Sequence, residues 1–458
     1  MKLLKVVLFF TITSQLHSQI CFNNPDEAAT YALKKSQNYS LNLNYAEYSL
    51  KAANLAIQEF LPTFDFSISE DDSISMNSSD SRNKSVSINI NQTLFDGGKR
   101  IIAYKMNKTE KYFALKSAEQ NIDQFRLTVI SQYYTCLLQD TLVKIKSELE
   151  KNTKTQLDII KKEFELGLVL ENDYLEYLIS YKKILDEKRQ AERKKRAEYR
   201  LFKVLLGINP ETEIYLEPIQ QNSNEITCYL EPYIERLWYM TKTNSIAIKK
   251  NEISLYYTKQ QYKYSRRFYI PEIKFQGGIS FSGTEYPLND PQYSAKFSIS
   301  FNNIPFMPIS LSNSYGFKDS KLKSLNNAVG GSVNISPDYF YGRDAAKISL
   351  QQQIQTNKDE MNSLYENLFN QISAFDDNLD SISRLEETIE LQQKRITISE
   401  KQVEKGELKR IDYLNQLISL SEQQIQLEQS KISNISMIRN LEILLCIPFG
   451  ELKECISK

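Results

Sequence analysis

The chain has 458 residues in which 57 lysine and arginine residues balance 57 aspartate and glutamate residues, so no net positive charge attracts nucleic acid. Its single histidine, His17, lies in a leader-like segment, so the rest of the chain has no imidazole for acid–base catalysis, nucleophile activation or zinc binding. No glycine-rich phosphate loop, metal-ligand spacing or nucleophile pattern is present, and the sequence therefore does not predict an enzyme. The cysteines are scattered; we expect Cys136 and Cys446 to be core thiols, with a Cys446–Cys455 disulfide as an alternative.

Residues 1–18 have the features of an export signal peptide. Lys2 and Lys5 precede a short apolar run, which is followed by a polar segment suited to cleavage near Ser18. Lipid attachment at Cys21 is the alternative to simple cleavage. The apolar run is too short to span a membrane, and no later stretch approaches the roughly 20 apolar residues of a spanning helix. Any contact with a membrane core is therefore expected from strands.

The residues after the leader predict a helix followed by a β-hairpin. Asn24 and the proline after it are typical of a helix start, and the helical pattern extends to about Phe60. Alternating apolar and polar residues then predict one strand beginning at Phe64 and a returning strand beginning at Val86. The polar segment 70–85 between them is expected to be the loop of this hairpin.

Two helices of unequal length are predicted after the hairpin. From Lys99 to about Phe164 the apolar residues recur at the spacing of coiled-coil seams, which predicts one very long helix. A helix of this length is too long to be buried in one globular domain. A second helix is predicted from about Asp173 to Leu206, after a turn at Gly167.

The same succession of elements occurs a second time in the chain. The pattern E-x-G-x-x-x-x-x-D-Y-L marks both copies at a constant offset, with Glu165, Gly167 and Asp173 in the first copy and Glu404, Gly406 and Asp412 in the second. The second copy also has a helix over 232–268, strands around Ile273 and Phe297, a long helix from Gly342 and a last helix that ends near Leu445. We interpret the chain as two copies of one strand and helix module rather than as an array of short repeats.

This interpretation divides the chain into five parts. They are a signal peptide (1–18), a first repeat (19–208), a linker (209–231), a second repeat (232–447) and a C-terminal tail (448–458). Segment 307–341 of the second repeat has no counterpart in the first. Its alternating residues are compatible with either an extra hairpin or an ordered plug, and the sequence leaves both open.

The small number of predicted strands has a physical consequence. Each repeat supplies two strands with one apolar face, so the chain has four strands, or six if segment 307–341 pairs. In lipid an open sheet edge leaves backbone N–H and C=O groups unpaired, at a cost of several kcal/mol each. Three copies that share one barrel of about twelve strands would remove these edges and enclose a water-filled conduit. The alternative is a half-buried hairpin in a soluble protein.

Several segments together resemble the TolC-type outer membrane efflux proteins, over nearly the whole chain after the leader. The resemblance rests on the opening Asn24-Pro25 helix, Leu61-Pro62 before a strand, the stretch from Asn91 to Lys99 that enters the long helix, Phe164 to Leu168 before Asp173, and the ending Leu205-Leu206-Gly207. It implies an α+β membrane protein that forms a homotrimer, with a shared outer membrane β-barrel continued by a periplasmic α-helical barrel.

The resemblance also implies a function. Members of this family are passive ducts of export systems, including type I secretion, and work with an inner membrane transporter and a periplasmic adaptor protein. They lie in outer membrane lipid, use no cofactor and bind no nucleic acid. The alternative function is an exported coiled-coil scaffold or adhesin without channel activity, which would use the helices but would not need lipid-facing strands.

The two glycine turns correspond to the family's periplasmic tips. The resemblance implies adaptor contacts at Glu165, Gly167, Leu168, Glu404 and Gly406, and an entrance constriction at Asp173, Asp412 and Asn415. Val403 and Leu408 replace the family's aromatic and basic tip residues, so we expect the neighbouring Lys409 or Arg410 to pair with Asp173 or Asp412 instead. The simpler interpretation is that both glycines are left-handed turn residues and that both aspartates stabilise helix N-termini.

Overall fold

The structure is a computed structural model that describes residues 20–73, 81–217, 228–267, 269–288, 290–302, 304, 307–318, 321–333 and 337–453. The predicted signal peptide and Cys455 lie outside these residues. Contacts divide the chain into two compact units, and each unit takes segments from both sequence repeats. Unit 1 contains Met1–Asn42, Glu119–Asn244 and Glu366–Lys458, and unit 2 contains Leu43–Ala118 and Ser245–Tyr365.

The order of helices and strands follows the predicted duplication. The α-helices are α1 (Pro25–Lys35), α2 (Gln37–Leu55), α3 (Lys99–Glu165), α4 (Glu171–Leu205), α5 (Ile234–Asn244), α6 (Ile246–Ser265), α7 (Pro337–Glu404) and α8 (Arg410–Leu445). The strands are β1 (Ile20–Phe22), β2 (Thr63–Ser73), β3 (Ser81–Phe95), β4 (Ile214–Leu216), β5 (Glu272–Gly283), β6 (Gln292–Phe301), β7 (Ile309–Lys318) and β8 (Lys321–Gly331). The long helices α3 and α7 have 67 and 68 residues, and α4 and α8 have 35 and 36. Within the described ranges, no helix is both long and apolar enough to cross a membrane.

Each opening helix is interrupted once, which corrects the prediction of one continuous helix per repeat. α1 ends before Ser36 and α5 ends before Ser245, at matching points of the two repeats. The Ser36 hydroxyl accepts a hydrogen bond from the backbone N–H of Tyr39 at 3.3 Å, and the Ser245 hydroxyl accepts one from Ile248 at 3.4 Å. A serine in this role competes with the continuous helix and caps the next one.

The described residues of unit 1 form three apolar clusters, of which the first two are equivalent and are each built mainly from one repeat. The third packs α3, α4 and α8 around Tyr177 and Leu414. In the first, α1, α3 and α4 pack with the short parallel sheet of β1 and β4, around the fully buried Tyr133 and Phe202. In the second, α5, α7 and α8 pack around the fully buried Leu237 and Phe375. Equal clusters of this kind are expected if both repeats fold in the same way.

The two helical cysteines differ in their surroundings. Cys136 is fully buried in the first cluster, as predicted. Cys446 is only partly buried, which corrects the prediction of a core thiol; it follows α8, and its sulfur accepts a hydrogen bond from Gln120 Nε2 at 3.3 Å. The alternative of a Cys446–Cys455 disulfide involves a residue outside the described ranges.

Unit 2 contains an antiparallel sheet of six strands in the order β2-β3-β5-β6-β7-β8. Its first hairpin is longer than predicted, because β2 extends to Ser73 and β3 begins at Ser81, so much of segment 70–85 is strand rather than loop. Segment 307–341 forms the hairpin β7–β8, which pairs with β6 along its length, and then the start of α7. Of the two alternatives left open by the sequence, the structure has the extra hairpin.

Candidate functional site

One face of the six-stranded sheet is apolar from edge to edge. Residues paired in an antiparallel sheet have their side chains on the same face, so the register shows which residues form a row. One such row consists of Phe66, Ile88, Ile279, Tyr293, Phe317 and Leu322. The apolar pattern therefore continues without a change of side through all six strands.

This apolar face is exposed. The exposed fraction is 65 % for Phe66 at one edge strand and 53 % for Leu325 at the other. Other exposed members of the face include Phe64, Ile68, Phe297, Leu311 and Val329. Soluble monomers rarely expose a continuous apolar surface of this extent, because water disfavours it. The face therefore requires apolar surroundings.

The opposite face of the sheet is polar and rich in serine. The row next to the apolar one consists of Ser67, Ser87, Ser280, Gln292, Lys318 and Lys321. Within this face, the hydroxyls of Ser67 and Ser87 are hydrogen-bonded at 2.7 Å, and those of Ser69 and Ser85 at 2.8 Å. Hydroxyl and amide groups are suited to contact with water, so the sheet can separate an apolar phase from an aqueous one.

The sheet has two edges, β2 and β8, each paired on one side only among the residues that the structure describes. Their outer backbone N–H and C=O groups are available for pairing with a further strand. In water such groups can bond to solvent, but in contact with lipid they need protein partners. A second copy of the chain is the simplest source of a partner strand.

The second candidate site is the pair of helical tips in unit 1. Gly167 follows α3 with φ of 72°, and Gly406 follows α7 with φ of 76°, so the prediction of left-handed turn residues is confirmed. In each turn the N–H after the glycine bonds to the carbonyl five residues before it, from Leu168 to Glu163 and from Glu407 to Gln402, both at 2.9 Å. These bonds end both helices in the same way.

The tyrosine of each repeated Asp-Tyr-Leu motif packs against other side chains of the helical tips. The rings of Tyr174 and Phe164 are stacked with centroids 5.2 Å apart, and Tyr413 is buried. Burial raises the pKa of Tyr413, because its phenolate would lose contact with water. The conspicuous Asp-Tyr-Leu repeat therefore reflects packing of the tips as much as any site.

The two tips are joined by ion pairs. Arg410 at the start of α8 donates to both carboxylate oxygens of Glu163 near the end of α3, and its third nitrogen donates to Gln156 Oε1 at 2.7 Å. Lys409 Nζ lies 3.8 Å from Asp173 Oδ1. Of the expected alternatives, the structure has the pairing of Lys409 with Asp173, whereas Arg410 pairs with Glu163 instead. Glu163 is a better partner for Arg410 because both of its oxygens face the guanidinium plane.

The tip surfaces have different chemistry. At the first tip Leu166, Leu168 and Leu170 are each more than 70 % exposed, and Glu165 beside them is also exposed. At the second tip the exposed residues are charged, with Glu404 and Lys405 before Gly406 and Glu407 after it. A cavity of about 350 Å³ lies between the tips, lined by Ile160, Val169, Val403, Leu408 and the ion-paired side chains. Sequence reasoning selected Leu168 but missed Leu166, Leu170 and Glu163.

The predicted constriction residues lie near the starts of two helices, with Asp173 and Asp412 in the first turns of α4 and α8 and Asn415 in the second turn of α8. Asp173 is a partly exposed residue of α4, and Asp412 and Asn415 are exposed residues of α8. Both aspartates are placed where a helix dipole favours a negative charge, in agreement with the simpler interpretation. The role of the three residues in a constriction stays a prediction.

Comparisons with known proteins bear on the family resemblance found in the sequence. Residues 33–205 match the family model described as outer membrane efflux protein. CusC has the same fold, with 12 % identity, 92 % of each chain covered and a TM-score of 0.69. The CmeC outer membrane channel of Campylobacter jejuni has 13 % identity, coverage of 92 % of this chain and 85 % of its own, and a TM-score of 0.68. The resemblance to TolC-type outer membrane efflux proteins is confirmed.

Further comparisons agree with this assignment. The outer membrane protein VceC of Vibrio cholerae has 12 % identity, with 93 % of this chain and 96 % of its own covered and a TM-score of 0.68. No protein of curated function matches the chain closely in sequence. At these identities the solved structures establish the fold of the chain. The matched family is one of transport proteins and not one of enzymes.

Proposed function

We propose that the protein is the outer membrane channel of an export system and a passive duct for substrates leaving the cell. The proposal is carried by the sheet of unit 2, which has one exposed apolar face and one serine-rich face. A wall with lipid on one side and water on the other requires this distribution of side chains. The match to the outer membrane efflux protein family supports the same function.

We infer that the working form is a homotrimer with one shared β-barrel in the outer membrane. A single sheet with edges at β2 and β8 leaves backbone groups unpaired, and pairing between copies satisfies them without any additional protein. The long helices α3, α4, α7 and α8 then form the periplasmic part of the duct. This arrangement is the one that the family resemblance implies.

Two matched substitutions on β2 test this function. Phe66 and Ser67 are neighbours on opposite faces of the sheet. In a lipid-facing wall, Phe66→Lys places a charge in hydrocarbon at about 2–4 kcal/mol near the bilayer midplane, whereas Ser67→Lys places it in the aqueous lumen. We expect Phe66→Lys to abolish heat-resistant trimers in detergent and conductance in planar bilayers, and Ser67→Lys to retain both.

The same experiment tests the alternative of a soluble scaffold or adhesin. For such a protein, both lysine substitutions would lie on solvent-exposed strands and would be equally harmless. A wild-type chain that stays monomeric without detergent and conducts no current would therefore refute the channel. Heat-resistant trimers with measurable single-channel current would refute the scaffold.

We propose that the tips dock a periplasmic adaptor protein that links the channel to an inner membrane transporter. The three exposed leucines of the first tip support this role, because apolar side chains of this exposure are suited to burial in a complex. A photoreactive amino acid at Leu168 should cross-link to a periplasmic protein in living cells. The control is Leu391 on α7, which is 65 % exposed and distant from the tip in sequence. Equal cross-linking at both positions would contradict docking at the tip.

We propose that Asp173, Asp412 and Asn415 surround the entrance of the duct. In a trimer the Asp412 carboxylates would form a ring that attracts cations. Asp412→Asn should reduce the preference for cations in bilayer recordings, and the control Glu366→Gln, which removes an exposed carboxylate of α7, should not. Unchanged ion preference in Asp412→Asn would exclude this residue from the constriction.

A further inference from the structure

We propose that the β7–β8 hairpin belongs to the barrel wall, so that β8 of one copy pairs with β2 of the next and three sheets of six strands give a barrel of eighteen. This inference rests on the proposed trimeric channel. It differs from the barrel of about twelve strands expected from two strands per repeat.

The first argument is the pairing of β6. All ten residues of β6, from Gln292 to Phe301, pair with β7 on one side, and nine of them pair with β5 on the other. β6 therefore has no free edge with which to meet a neighbouring copy. The edge available at this side of the sheet belongs to β8, unless the hairpin leaves its position in the sheet.

The second argument is the chemistry of the hairpin faces. Leu311 pairs with Ile299 of β6 and with Val329 of β8, which places apolar residues of the hairpin on the apolar face of the sheet. On the other face, Ser310, Ser312, Ser314, Ser324 and Asn326 continue the polar surface. An ordered plug inside the lumen would be surrounded by water, so its residues would not need an apolar face in register with the lipid-facing residues of β6.

The third argument is the match between the two edges. β2 and β8 each have 11 residues. Each neighbouring pair in the sheet is antiparallel, so β2 and β8 run in opposite directions and β8 of one copy meets β2 of the next as an antiparallel pair.

Barrel diameter grows roughly linearly with strand number, so eighteen strands give a barrel about 1.5 times as wide as twelve. The lumen of the barrel is then wider than the lumen of a barrel built from two strands per repeat.

Thiol cross-linking between copies tests which strand meets β2. The parent variant replaces Cys21, Cys228 and Cys455 by serine, since the first two are exposed and the third is near the C-terminus. One cysteine is introduced on the polar face of β2, and a second on the polar face of β8 or, as the matched control, of β6. The substitutions are Ser67→Cys and Ser69→Cys on β2, Ser324→Cys and Asn326→Cys on β8, and Ser294→Cys and Lys296→Cys on β6.

Cross-links within one chain are excluded by distance. β2 and β8 are five strand spacings apart, or about 24 Å, and β2 and β6 are three spacings or about 14 Å apart. A short thiol-specific cross-linker therefore reports only contacts between copies. We expect the β2–β8 pairs to give covalent dimers and trimers in denaturing gels, with at least a tenfold excess over the β2–β6 pairs.

The outcomes separate this inference from the proposed function. Cross-linking of β2 to β6 in a heat-resistant trimer would overturn the inference and leave the channel intact, because the hairpin would then lie outside the wall. A parent variant without heat-resistant trimers would overturn both. An image of the purified trimer in which strands can be counted gives an independent answer, eighteen or twelve.

Discussion

Arg410 binds both carboxylate oxygens of Glu163, with Nε at 3.0 Å from Oε2, although the two residues are 247 positions apart in the sequence. The contact connects the start of α8 in the second repeat with the end of α3 in the first. The side chains are only 17 % and 28 % exposed, so solvent screens this pair less than an ordinary surface ion pair. The two tips of one chain are thus held together by a two-pronged charged contact.

Arg410→Ala should lower the free energy of unfolding by about 2 kcal/mol, because it leaves Glu163 partly buried without its partner. Arg410→Lys should recover only part of the loss, since an ammonium group cannot bind both oxygens in one plane. The control is Lys409→Ala, whose side chain is 70 % exposed and whose pair with Asp173 is worth little. Urea unfolding of the three variants measures the differences, and equal values for Arg410→Ala and Lys409→Ala would contradict the prediction.

Gly97 and Gly98 before α3 offer a second matched comparison. Both have positive φ, of 70° and 92°. A β-carbon on Gly97 would lie 2.6 Å from Ile270 Cγ2 and 2.7 Å from Tyr264 Cε2, whereas one on Gly98 would meet nothing within 4 Å. Gly97→Ala should therefore cost about 3 kcal/mol, from strain and overlap together, and Gly98→Ala about 1 kcal/mol. Thermal melting of both variants tests which substitution destabilises the protein more. A larger loss of stability in Gly98→Ala than in Gly97→Ala would contradict the prediction.

Cys136 should be nearly inert in the folded protein. Burial, reinforced by the nearby Asp140 carboxylate, raises the pKa of its thiol to about 12 from 9.0. Because the thiolate is the reactive form, we expect alkylation of native Cys136 to be at least about a hundredfold slower than alkylation of the exposed Cys228. Mass spectrometry after timed alkylation measures both rates, and comparable rates would contradict this account of the core.

The same shift predicts how stability depends on pH. The folded state favours the protonated thiol of Cys136, so this contribution to stability is complete below the unfolded pKa of 9.0 and is lost as the pH rises toward about 12. Cys136→Ala should make the loss of stability between pH 9 and 11 smaller. The comparison requires urea unfolding at several pH values, and identical pH profiles for both proteins would refute the linkage.

The residues that follow the last turns of α4 and α8 are different in type, but both have a left-handed backbone conformation. Gly207 has φ of 65° and Cys446, at the equivalent position of the second repeat, has φ of 53°. A left-handed conformation costs a residue with a β-carbon about 1–2 kcal/mol. Cys446→Gly should therefore be about 1 kcal/mol more stable than Cys446→Ala, since both lose the sulfur contact with Gln120 but only alanine keeps the strain. Equal unfolding free energies would show that Cys446 is not strained.

Residues close together in sequence made most of the fold predictable. Coiled-coil spacing predicted α3 to within one residue of Glu165, and glycine followed by a new helix pattern predicted both tips. The break at Ser36 was missed because serine is compatible with a helix interior as well as with a cap. The extra hairpin could not be distinguished from a plug because the apolar residues of β8, Leu322, Leu325 and Val329, do not alternate regularly with polar residues. The contact of Arg410 with Glu163 has no local signal, since only the packed helices bring the two residues together.

The two tips of one chain differ in chemistry, and this difference affects how many partner molecules a trimer can bind. The helices that carry them differ in length by one residue, yet one tip ends in exposed leucines and the other in charged side chains. A ring of three chains would thus have six ends that alternate between two chemistries. A partner protein specific for the exposed leucines would have three equivalent binding sites on such a ring. A partner that occupies all six tips must bind both the leucine tips and the charged tips, either through flexible contacts or through two different subunits.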